Sequence, residues 1–173
     1  MALVGEHLGM PLLVDDLDIE NLEYFRYCGA HDFRLQKCRS CGLLRYPPGT
    51  ACPWCATADF EWVSVEGRGE VHSYGEVHQA IQPSFRAHVP YLILLVDLDT
   101  QKAQPSEFES LRVVANLVTA DGGLAPPELV KTVGIGSRVR MVFVDVGDGF
   151  AIPQWTLDET ATQPSNPWRY PER

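Results

Sequence analysis

After residue 61 the apolar residues fall in short runs between turn residues, and that pattern predicts strands. The runs are Trp62 to Val65, Glu70 to Val77, Tyr91 to Leu98, Arg112 to Val118 and Arg138 to Val146. Their β-branched and aromatic residues suit a pleated, half-buried surface. Gly67-Arg68-Gly69, Pro83, Pro90, Asp121-Gly122-Gly123, Gly134-Ile135-Gly136 and Gly147-Asp148-Gly149 punctuate them. Five strands with few helical candidates predict a small closed barrel, and a five-stranded OB-type barrel is the natural size. Ala125 to Val130 is expected to form a helical turn before the last strand, and Thr100 to Glu109 an exposed loop.

The first 60 residues follow a different pattern. Residues 1–15 lack strong periodicity and are expected to form a loose lead-in. Asp18 is placed to cap a helix that starts near Ile19. Leu22, Phe25 and Arg26 follow at helical spacing, and Gly29 is the expected stop. Phe33-Arg34-Leu35-Gln36-Lys37 alternates apolar and polar, so it reads as a strand. The chain therefore divides into an acidic helical segment (1–32), a ribbon (33–60), a barrel (61–157) and an extended, proline-bearing tail (158–173). The tail holds Pro164, Pro167 and Pro171 with Trp168 and Tyr170. Its composition suits either disorder or an arm that docks its aromatics on another subunit.

Between residues 33 and 60 lie Cys38, Cys41, Cys52 and Cys55, two C-x-x-C pairs ten residues apart. Two residues between cysteines let one tight turn aim both sulfurs at a single ion, and a second turn completes a tetrahedron. Gly42 follows the first pair, where a left-handed backbone angle is needed. Pro47-Pro48-Gly49 turns the chain back, and Pro53 stiffens the second turn. Structural Zn2+ is the leading reading, ahead of two disulfides, redox thiols or rubredoxin-like iron. Four thiolates close the shell, so a catalytic metal is not expected. Cys28 lies in an aromatic stretch and reads as a buried, inert thiol.

Length and charge narrow the function. The chain has 173 residues, 45% of them hydrophobic, and a net charge of −9. Residues 1–32 hold seven acids and one base, whereas residues 33–69 hold five bases and three acids. A duplex binder needs a concentrated basic footprint, which this chain lacks. The longest apolar run, Tyr91 to Val96, is far too short for a bilayer span. No apolar, basic-flanked leader follows Met1, so a cytoplasmic protein with reduced thiols is expected.

These motifs together resemble a known family. Phe33-Arg34-Leu35-Gln36-Lys37-Cys38-Arg39-Ser40-Cys41-Gly42 resembles the opening strand and first knuckle of the zinc-ribbon/OB-fold proteins associated with acyl-CoA metabolism. Arg45-Tyr46-Pro47-Pro48 and Cys52-Pro53-Trp54-Cys55 resemble the return and second knuckle. Trp62 to Tyr74 resembles the first barrel hairpin, Val89-Pro90-Tyr91 the start of the next strand, and Gly136-Ser137-Arg138-Val139-Arg140 the last. The resemblance covers residues 19–146, and the tail lies outside it. Ala56 departs from the glycine often found after the second knuckle. The implied fold is mainly β: a short N-terminal helix, a rubredoxin-like zinc ribbon, then a five-stranded OB-fold barrel. The implied role is an accessory subunit of a thiolase-like enzyme acting on acyl-CoA thioesters, with retro-aldol cleavage of steroid or lipid side chains the favoured reaction. A single-stranded nucleic-acid-binding OB protein is the alternative, disfavoured by the acidic barrel.

No catalytic constellation is legible. The five histidines show no H-x-x-x-H or H-E-x-x-H spacing, and no Gly-x-Ser-x-Gly elbow or Walker loop is present. His72 and Tyr74 are expected on one strand face, with packing weighed above a binding role. The loop from Gln79 to Ala87, between His78 and His88, reads equally as solvated or as a contact for acyl-CoA or a partner. Phosphates of CoA would require cations, and Arg34, Lys37, Arg39, Arg45 and Arg68 are the nearest to the ribbon. Ordinary surface ion pairs explain each of these equally well.

Overall fold

A computed structural model of the chain describes residues 1–171. The loose lead-in expected over residues 1–15 is instead an antiparallel hairpin, β1 (Leu3–His7) and β2 (Met10–Val14). Leu8 and Gly9 both take positive φ, 52° and 77°, giving the two-residue reversal that matches strand twist. Leucine is a poor marker for such a turn, and outward-facing Val4 and Leu13 blur the alternation. Both features hid the hairpin.

Helix α1 (Ile19–Gly29) begins as expected, with the Asp18 side chain accepting a hydrogen bond from the Asn21 amide at 3.3 Å. It buries Leu22, Tyr24 and Cys28. Strands β3 (Arg34–Cys38), β4 (Leu44–Arg45) and β5 (Phe60–Ser64) form the ribbon sheet in the order β4-β3-β5. The barrel follows, with β6 (Arg68–Val77), β7 (Tyr91–Lys102), β8 (Ser110–Asn116), β9 (Arg138–Gly147) and β10 (Phe150–Leu157). Their order is β10-β9-β6-β7-β8. A parallel bridge from Leu117 to Trp155 nearly closes the ring, with the Val118 amide donating to the Trp155 carbonyl at 2.8 Å. A 3-10 turn (Pro83–His88) precedes β7, and the short helix α2 (Pro127–Val130) precedes β9.

Two strand assignments need correction. Trp62 to Val65, expected to open the barrel, belongs mostly to β5 and runs against β3, with Leu35 opposite Val63. Its β-branched and aromatic content is that of a barrel strand, and only the distant partner decides its place. The fifth barrel strand is β10, which Pro153 and the Gly147-Asp148-Gly149 turn disguised. Proline is tolerated because β10 is an end strand of the sheet. The expected loop from Thr100 is also shorter, because β7 runs on to Lys102.

Leu92, Leu94, Val96 and Leu98 of β7 are fully buried along one face. They join Val71, Val113, Leu117, Val130, Val139 and Trp155 inside the barrel. The same cluster continues through Leu35, Leu44 and Val65 to Tyr24 and Cys28, so helix, ribbon and barrel share one core. A polar clamp reinforces the joint. Buried Gln101 on β7 accepts from the Leu44 amide at 2.7 Å and donates to the Leu44 carbonyl at 3.2 Å.

Residues 168–170 of the tail are held against the body of the chain, with the Trp168 and Tyr170 rings half-exposed. Trp168 exchanges two main-chain hydrogen bonds with Ile135, at 2.9 and 3.2 Å. Arg169 donates to the Val130 and Val133 carbonyls and pairs with Glu76 at 2.7 Å. The Tyr170 amide donates to the Tyr74 hydroxyl at 2.9 Å. These contacts strap residues 168–170 across α2 and β6, and positions 172 and 173 lie outside the described residues. No helix among the described residues is long and apolar enough to cross a membrane.

Candidate metal centre and its surroundings

Two matching knuckles build the cysteine site. In the first, the Gly42 amide donates to the Cys38 carbonyl at 2.9 Å and Gly42 takes φ +76°. In the second, the Ala56 amide donates to the Cys52 carbonyl at 2.9 Å and Ala56 takes φ +61°. Alanine thus occupies the left-handed position that glycine fills in the first knuckle, with no change in hydrogen bonding. A Cβ in that region is strained. Ala56→Gly is therefore expected to stabilise the fold by about 1 kcal/mol, read as a higher denaturant midpoint at unchanged slope.

The four sulfur atoms lie within 4.8 Å of one another. Cys38 and Cys55 sulfurs are 3.5 Å apart, and Cys41 and Cys52 sulfurs 3.6 Å. Sulfurs at about 2.3 Å from a central ion would stand roughly 3.8 Å apart in a tetrahedron, so the residues fit a four-thiolate metal site. A disulfide requires about 2.05 Å, and all five cysteines are free. Hydrogen bonds from the Thr57 side chain and backbone lower the Cys55 thiol to about 6; at Cys41 a Leu43 backbone hydrogen bond acts downward, but burial and the other three sulfurs outweigh it and push that thiol up to about 12. Cys38 and Cys52 are buried and Cys41 and Cys55 exposed, so the site sits at the rim of the ribbon. A shell of four sulfurs, once filled, offers no position for water or substrate. Cys28 stands apart: burial pushes its thiol up to about 12, which keeps it neutral.

The five cations near the ribbon have separate surroundings. Arg34 pairs with Asp32 at 2.5 Å and lies over the Tyr27 ring. Arg39 reaches Asp59 and Glu61 at 3.7 and 3.9 Å. Arg45 is buried, donates to the Gln36 side chain at 2.8 Å and covers the Phe60 ring. Arg68 binds Glu66 at 2.9 Å and also bonds Asp158 and Thr160. Lys37 alone of the five has neither an ion-pair nor a hydrogen-bond partner among the described residues. It lines a cleft of about 320 Å³ with Leu44, Val63, Thr100 and Gln101, between ribbon and barrel.

Burial pushes the Asp158 carboxyl up, but Thr160 and the Arg68 guanidinium outweigh it and hold the group below the ordinary carboxylate range. A depressed folded-state value contributes stability above the unfolded value, near 3.9, and the contribution fades as pH falls through the folded one. Asp158→Asn is therefore expected to lower stability at pH 7. Its deficit relative to the natural chain should shrink below about pH 4, as read by urea midpoints at both pH values.

His72 and Tyr74 do not share a face. A bulge between Val71 and Ser73 takes His72 out of register, so His72 is exposed while Tyr74 is buried. His72 Nδ1 lies 3.1 Å from Asp97, which also accepts from Arg112 at 2.9 Å. The His72–Asp97–Arg112 network ties β6, β7 and β8 together on the outer surface. Neither the bulge nor the Gln36 and Gln101 amide clamps carry a local sequence signal. In the following loop, Phe85 packs 5.3 Å from Tyr91 and 6.1 Å from His7, while Ile81 is exposed.

Comparison with known proteins agrees with this architecture. Residues 62–144 match the family described as ChsH2, C-terminal OB-fold domain. A probable enoyl-CoA hydratase alpha subunit of Thermomonospora curvata is 34% identical over 134 residues, covering 78% of this chain and 36% of that protein. A 3-oxo-4,17-pregnadiene-20-carboxyl-CoA hydratase alpha subunit of Mycobacterium tuberculosis is 32% identical over 130 residues, covering 75% and 35%. This chain thus spans about a third of the length of each. A solved chain of an Ltp2-ChsH2(DUF35) aldolase is 28% identical with a TM-score of 0.63, covering 83% of this chain and 98% of that one. Residues 62–144 of this chain thus form a ChsH2-type C-terminal OB-fold domain, joined to a four-cysteine ribbon.

Proposed function

We propose that this chain is a non-catalytic, cytoplasmic subunit of an acyl-CoA enzyme complex, held in shape by a structural zinc ion. Its partner is a thiolase-like catalytic chain, and the favoured reaction is retro-aldol cleavage of a steroid or lipid side chain attached to CoA. The observation that carries the reading is the likeness, over 83% of this chain and 98% of the other, to a chain of an Ltp2-ChsH2(DUF35) aldolase. The CoA-linked names of the two hydratase alpha subunits support the substrate class. The closed sulfur shell supports a structural rather than catalytic metal. Lys37, uncompensated beside the ribbon–barrel cleft, is the leading residue for a CoA phosphate, ahead of Arg34, Arg39, Arg45 and Arg68, which are already engaged.

Co-expression with a thiolase-fold chain encoded beside it tests the proposal. The two are expected to co-purify, to cleave a steroid side-chain CoA thioester together, and to do so in neither half alone. Turnover of that thioester by this polypeptide by itself would overturn the reading. So would a catalytic chain that is fully active without it.

A further inference from the structure

The outer face of the β1–β2 hairpin leaves apolar residues with nothing of this chain to cover them. The inner face is already used. Gly5 and Gly147 let the hairpin lie backbone against backbone on the β9 end, where an added Cβ would stand 2.5 Å from the Val146 carbonyl and 2.2 Å from the Val4 carbonyl, respectively. Leu3, Leu12 and Val14 alternate toward that contact. Val4 and Leu13 form a cross-strand pair on the opposite face and are 66% and 67% exposed. Four and six residues beyond Leu13, Leu17 and Ile19 are 87% and 69% exposed. An apolar cross-strand pair left exposed on a rigid hairpin marks a contact surface.

Charge identifies what covers them. Residues 1–23 hold six acids and no lysine or arginine. Among the described residues only Glu23 of the six has an ion-pair partner, Arg26 at 3.8 Å. A second copy would bring like charges together, and an anionic lipid surface would be repelled. An apolar patch rimmed by lysine and arginine satisfies both features. The rival surface, the outside of β6–β7–β8, has less to offer. Ile93 and Val114 are 36% and 49% exposed there, beside the His72–Asp97–Arg112 network, whose charges pair among themselves.

We propose that the exposed face of the β1–β2 hairpin is the docking surface for the catalytic chain, which meets it with a basic-rimmed apolar patch. The inference rests on the complex proposed above. The experiment measures the dissociation constant between the two chains by calorimetry at about 50 and 300 mM salt. It compares the natural chain, a Val4→Lys/Leu13→Lys variant, and a Ile93→Lys/Val114→Lys variant. Both pairs are exposed, so the fold is expected to survive, as checked by metal content and thermal melting. The natural complex should weaken as salt rises, the hairpin variant should bind at least tenfold more weakly, and the barrel variant should bind as the natural chain does. Unchanged binding by the hairpin variant, or loss confined to the barrel variant, would overturn the docking surface while leaving the complex intact. A hairpin-dependent homodimer of the natural chain would overturn it too. A natural chain that binds no thiolase-fold chain at all removes the complex, and this inference with it.

Discussion

Removing the metal, by chelation or by Cys38→Ser, is expected to melt the ribbon before the barrel. Structural zinc contributes on the order of 10 kcal/mol of apparent free energy in isolated small modules. The ribbon here has a two-residue strand, β4, and few contacts of its own. Part of the loss is offset because Leu35, Leu44 and Val65 belong to the core shared with the barrel. Several kcal/mol should remain, against a typical total stability of about 5–15 kcal/mol. Trp62 reports the event, because it packs edge-on against Phe60 at 5.9 Å and beside Tyr27 at 5.5 Å. Its emission should shift at a lower temperature than the barrel's circular dichroism changes. Cys28→Ser is the control, with metal content expected to stay at one ion per chain. An unaltered melt after complete loss of metal would contradict the account.

Trp155→Ala is expected to cost about 3–5 kcal/mol, the range for deleting a fully buried large aromatic. In a chain of this length that lowers the melting temperature by roughly 10 °C or more. Size alone does not set the effect. The Trp155 ring nitrogen donates to the Val113 carbonyl at 3.3 Å, while its own carbonyl accepts from Val118 across the parallel bridge of the ring. Truncation leaves a cavity and removes the indole donor to the Val113 carbonyl at the place where β8 and β10 meet. The truncated barrel should also show faster amide exchange along β8 and β10 than along β6 and β7.

The parts of this protein that could be read from its sequence are those whose physics is local. A C-x-x-C turn needs only its own residues, so both knuckles and the left-handed site at Gly42 were legible. The same holds for the Asp18 cap, where one carboxylate meets an amide three residues on. Strands whose identity depends on a distant neighbour were less legible. Phe60–Ser64 and Arg68–Val77 have similar composition, yet one completes the ribbon and the other opens the barrel. Pro153 disguised β10 because proline's cost depends on whether a neighbour needs its amide. The tail's compositional signal pointed to disorder or outward docking, and the Arg169 contacts that hold it to α2 and β6 have no counterpart in spacing. The cysteine positions sufficed to foresee four clustered sulfurs, whereas no arrangement of cations in the sequence revealed that Arg45 is buried and that Lys37 has no partner among the described residues.

The amide of Gln101 grips the main chain of Leu44 and ignores its side chain. Position 44 can therefore drift among apolar residues over evolutionary time without loosening the hinge between the two modules.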